Sequence, residues 1–148
     1  MPTVEVTFTP LPAHVRTARL VATAVARRSG VDESLLDEVR LAVGEACSRA
    51  VEAHRTHCPR TPIRVALTDD SERFEVVVTD AAPAEEMPAE LASSSVAPEP
   101  VPLEGGGVVH QLPPGVGLAV ISGLADDVRI SPAGDGTSVA MSWKRRAE

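Results

Sequence analysis

Between Asp32 and His54, apolar residues return every three or four positions, at Leu36, Val39, Val43, Ala46 and Ala50, and no other stretch limits the fold as tightly. That spacing sets all five on one stripe of an α-helix. Asp32 is placed to cap its start, and Glu33 and Asp37 suit the positive end of its dipole. An amphipathic helix must bury its stripe against a second layer. Because only 2% of the residues are aromatic, the core between the layers must be built from Ala, Val and Leu.

The flanking segments supply that second layer. Residues 3–8 (TVEVTF) alternate as a half-buried strand does, and Thr9-Pro10 ends the alternation. Residues 12–29 then read as a first helix, with Leu11, Val15, Ala18, Ala22 and Val25 apolar and Gly30 as its stop. After the second helix, PIRVALTDD and RFEVVVTD predict a hairpin with Asp80 at its exit. Over residues 81–114 the pattern gives way to Ala, Pro, Glu, Ser and Gly, with seven prolines and no Lys or Arg. A stretch of that composition and length predicts a lid or a disordered insertion. Gly115 and Gly117 follow, then a short helix over 118–124, a strand near 127–131, a glycine turn, and a last strand over 137–143. This order predicts one domain spanning 1–148, an α/β two-layer sandwich in which helices cover one face of a mixed sheet.

Charge and composition exclude several function classes. A formal net charge of -7 argues against nucleic acid, whose binders carry a basic footprint. The first ten residues show neither a basic start nor a long apolar run, so no signal peptide or membrane span is expected, and a cytoplasmic location follows. Cys47 and Cys58 cannot build a disulfide framework, and Cys47 falls on the apolar side of its helix. His54 and His57 lie one helical turn apart, but with the two cysteines they match no recognised ligand spacing, so no metal site is expected there.

Three segments carry a resemblance: LPAHVRTARLVATAVARRSGVDESLLDEVRLAVGEACSRAVEAH, GVGLAVISGLADDVRI and GDGTSVAMSW. In order and spacing the chain resembles the anti-sigma-factor serine/threonine kinases, as a divergent actinobacterial-type member of a superfamily with the Bergerat, or histidine-kinase-like ATPase, fold. The resemblance implies ATP or ADP as cofactor, a sigma factor and an anti-anti-sigma factor as partners, and a homodimer. It also implies roles for particular positions. Glu45 matches a general base acting on the substrate serine. Arg49, four residues on, stands where the family has a magnesium-binding asparagine, and a guanidinium, being all donors, cannot ligate a cation. Asp80 matches an aspartate that hydrogen-bonds the adenine amino group, but Ala82 and Ala84 replace the family's following glycines. Gly115 and Gly117 match a second glycine box before a helix N-terminus, where free N–H groups suit phosphate. Thr137 matches a threonine near the adenine pocket. Arg19 matches an arginine that contacts both protein partners, and Arg16 lies on the same helix.

Read without the family, Glu45 and Arg49 are an i,i+4 ion pair on a solvated helix face, and Asp80 is a turn residue. Three functions stay open: a partner-switch regulator with a degenerate nucleotide site, an active serine kinase in which Arg49 replaces the metal ligand, and a nucleotide sensor without chemistry.

Overall fold

The computed structural model describes residues 3–70, 72–82, 116–134 and 136–144. Strand β1 (Thr3–Phe8) leads into helix α1 (Pro12–Arg28), which has proline at its first position, where a missing N–H costs nothing. The helix stops as its sequence requires. Gly30 takes φ of 87°, and the N–H groups of Gly30 and Val31 donate back to Arg27 and Ala26, the Schellman pattern that satisfies the last carbonyls.

Asp32 does act as a cap, accepting from the Ser34 N–H at 3.0 Å, but it caps a 3-10 turn over Glu33–Leu35 that runs into helix α2 (Leu36–His57). All five residues of the predicted stripe are buried, and so are Cys47 and His54. Ala18, Ala22 and Ala26 of α1 are buried with them. Leu11 departs from its expected place, since it sits ahead of the helix and is 52% exposed.

Strands β2 (Ile63–Asp69) and β3 (Arg73–Thr79) form the expected hairpin, followed by helix α3 (Val116–Leu124) and strands β4 (Asp127–Ala133) and β5 (Gly136–Lys144). The sheet order is β1-β2-β3-β5-β4. Every pairing is antiparallel, which corrects the expected mixed sheet. The reason is topological. β3 and β4 point the same way across the α3 crossover, but β5 inserts between them and pairs with both.

Helices cover one face. Ile63, Val65 and Leu67 of β2, Phe74, Val76 and Val78 of β3, and Val139, Met141 and Trp143 of β5 alternate inward and are buried, as period-two burial requires. Trp143 stands near Phe74, and its indole N–H donates to the Leu124 carbonyl at 3.0 Å, tying the end of α3 to the sheet. The opposite face carries short polar pairs such as Arg64–Glu5 and Thr79–Ser138. Of the segment 81–114, only Ala81 and Ala82 are among the described residues. No helix among the described residues is long and apolar enough to cross a membrane.

Candidate functional site

Helix α2 directs its two candidate residues to different places. Arg49 leans toward the sheet, where its Nη1 donates to Asp80 Oδ2 at 3.0 Å. Its side chain is 30% exposed, whereas that of Asp80 is 3% exposed. The other carboxylate oxygen, Oδ1, accepts the Thr137 N–H at 3.2 Å, and the Asp80 N–H donates to the Thr137 carbonyl at 3.0 Å. A buried carboxylate needs such partners, because an unpaired charge away from water is costly. Among the described residues, the ion pair Arg49 makes is thus with Asp80, 31 positions away, and not with Glu45 one turn up its own helix. The i,i+4 reading is corrected by geometry: the guanidinium follows the buried carboxylate.

Two further residues fix this corner. A Cβ on Gly136 would lie 1.9 Å from the Asp80 carbonyl oxygen, so β5 can pass there only as glycine. His54 is fully buried at the end of α2, with Nδ1 2.8 Å from the Thr61 carbonyl and Nε2 2.9 Å from the Ala81 N–H. Since a carbonyl only accepts and an amide N–H only donates, the ring is neutral with its proton on Nδ1. Both ring nitrogens are therefore spent on backbone. The sequence did carry a signal for it, because His54 continues the buried stripe one turn beyond Ala50.

Glu45 faces the other way, into a groove of about 310 Å³ between α1 and α2 that also takes in Arg19, Leu41, Gly44, Ser48 and Glu52. Arg19 lies directly over Gly44, where an added Cβ would come within 2.7 Å of its Cδ. Beneath it, burial pushes the Cys47 thiol up to about 12, while the Arg19 charge pulls in the opposite direction. Arg16 is exposed on the same helix.

The predicted site residues therefore fall into two groups. Arg49, Asp80 and Thr137 meet at the sheet, while Glu45 and Arg19 share the interhelical groove. Gly117 lies inside the first turn of α3, which starts at Val116 and not after the glycines, and Gly115 lies outside the described residues. Ala84 is outside them as well, whereas Ala82 is buried two residues after Asp80.

Five antiparallel strands with helices on one face, and a buried aspartate where the hairpin exits against α2, make an α/β two-layer sandwich. The chain belongs to the histidine kinase-like ATPase domain family, whose model matches residues 8–143. No curated protein matches it. It is similar in fold to the crystal structure of the RsbU and RsbW domains of Rv1364c from Mycobacterium tuberculosis, at a TM-score of 0.66 and 18% identity. That likeness covers 100% of this chain and 34% of the larger one, so the chain spans about a third of that protein's length.

The family implies that a nucleotide can be bound. Arg49 offers only donors and cannot ligate a cation, and each Asp80 oxygen already accepts one hydrogen bond.

Proposed function

We propose that this chain is an anti-sigma factor or partner-switch regulator of transcription, a single cytoplasmic domain of 1–148 whose nucleotide site is degenerate. The observation that carries this reading is the divergence of Arg49 from Glu45. The first closes on Asp80, and the second stays in an open groove beside Arg19. The fold this chain shares with about a third of the chain that carries the RsbU and RsbW domains is in keeping with the regulatory class. A sigma factor and an anti-anti-sigma factor are the partners, bound through α1 with Arg19 and Arg16 at the contact, and the working form is a homodimer. Neither nucleic acid nor membrane is engaged.

The groove suits a polypeptide partner. It sets one cation, Arg19, opposite two carboxylates, Glu45 and Glu52, beside the exposed Leu41, and such a mixture of polar groups and one apolar anchor is what protein interfaces present. The second reading, an active serine protein kinase, rests on Glu45, a half-buried carboxylate in that groove. Phosphoryl transfer depends on positioning and on neutralising charge, and Arg49 is withdrawn from that task by Asp80.

The test is titration of purified sigma and anti-anti-sigma factors from the source organism against the native chain and Arg19→Ala, alongside a radiolabelled-ATP transfer assay. Binding lost in Arg19→Ala, without label on either partner, is the expected result. Label on the anti-anti-sigma serine that disappears in Glu45→Gln would establish the kinase instead.

A further inference from the structure

Asp80 is held from three sides. Thr137 fixes Oδ1 through its backbone N–H, Gly136 packs against the Asp80 carbonyl, and Arg49 occupies Oδ2. A nucleobase amino group reaching this carboxylate would need an oxygen to accept it. Oδ2 is the one not tied to the neighbouring strand. We infer that Arg49 is an internal substitute for a bound ligand: its guanidinium lies on the oxygen a nucleobase would use and neutralises its charge, so the Arg49–Asp80 pair and nucleotide occupancy compete. This deepens the degenerate-site reading proposed above and rests on it.

The exchange is unequal in charge as well as in space. Asp80 is almost wholly buried, and Arg49 neutralises it through a charge-assisted bond, which is roughly twice as strong as a neutral one. An exocyclic amino group offers a neutral donor and would leave the buried charge uncompensated. The carboxylate is also held in orientation, because Oδ1 accepts the Thr137 N–H while the Asp80 N–H donates to the Thr137 carbonyl, where β3 ends against β5. The corner therefore keeps its geometry with nothing bound. Here α2 supplies the group that completes the corner.

The experiment is calorimetric titration of ADP, with and without magnesium, into the native chain, Arg49→Asn and Arg49→Met, each checked for folding by circular dichroism. The native chain should give no saturable heat at millimolar ADP. At least one folded variant should bind about tenfold or more tightly than the native chain, and Asp80→Asn added to that variant should abolish the gain. Equal binding by native and variant chains would overturn the inference, as would folded variants that still do not bind. Partner binding measured on the same samples keeps the two readings apart. Loss of ADP gain with partner binding intact sinks only the internal ligand, and ADP gain without any partner binding sinks only the regulatory function.

Discussion

Gly136 lies so close to Asp80 that a single added carbon would sit 1.9 Å from the Asp80 carbonyl oxygen and 2.8 Å from the Ala81 Cα. The obstacle is backbone, which cannot swing aside as a side chain can. Gly136→Ala should therefore cost about 3 kcal/mol, the upper end for overpacking a fixed site. Gly134, at φ of 60° with open space around its Cβ position, should lose only about 1 kcal/mol as alanine, from the left-handed backbone alone. Urea unfolding of the two variants checks the order.

The Arg49–Asp80 pair should show energetic coupling. Arg49→Met leaves a buried carboxylate without its cation, and a cost of about 2 kcal/mol is expected, below the range for fully buried pairs because Arg49 is partly exposed. A cycle with Asp80→Asn should return a coupling of about 1 kcal/mol or more. Strict additivity of the two substitutions would remove the pair from the stability of the fold.

His54 joins the end of α2 to the hairpin exit through two backbone bonds. Replacing it by leucine keeps the bulk but leaves a buried carbonyl and an N–H without partners, at a cost of about 2 to 4 kcal/mol. Hydrogen exchange gives the specific signature: the Ala81 amide should lose its protection in His54→Leu ahead of amides in the centre of β3.

The two cysteines should differ sharply toward thiol reagents. Only the thiolate reacts, and Cys47, pushed up to about 12 by burial, holds almost none at pH 8. Cys58 is partly exposed at the end of α2, so one thiol should label in the native chain and two in urea. Stability should follow the same shift. Above the ordinary value of 9.0 the unfolded chain ionises Cys47 while the folded chain keeps its proton. The folded state is then the one that binds more protons, and stability falls with rising pH by roughly 1 kcal/mol per unit between 9 and 12. Cys47→Ala should flatten that slope.

Gly44 offers a way to separate stability from binding. An added Cβ meets the movable Arg19 side chain, with its Cδ nearest at 2.7 Å, and alanine is favoured over glycine in a helix by about 1 kcal/mol. Gly44→Ala should therefore be neutral or stabilising in urea while displacing Arg19 and weakening partner binding. Unchanged affinity would remove Arg19 from the contact.

The elements of this fold were written in local pattern. The α2 stripe, the alternation of β2 and β3, the glycine after α1 and the cap at Asp32 each depend on neighbours within a few positions, so spacing alone located them. Cys47 was readable as buried for the same reason. Boundaries moved where no local signal exists: α2 runs to His57 and α3 begins at Val116.

What sequence alone determined, then, was two amphipathic helices over a sheet, with Glu45 and Arg49 one turn apart and Asp80 at the exit of a hairpin. Tertiary structure decided where their charges go. A spacing of four says that two side chains share a helix face, but which one turns to the sheet depends on the nearest buried charge that needs a partner. Asp80 is 31 residues from Arg49 along the chain, and β5 arrives beside both only by inserting between β3 and β4. Local spacing cannot encode that meeting. It arises because a carboxylate carried out of water by the sheet must be compensated, and Arg49 is the cation that reaches it.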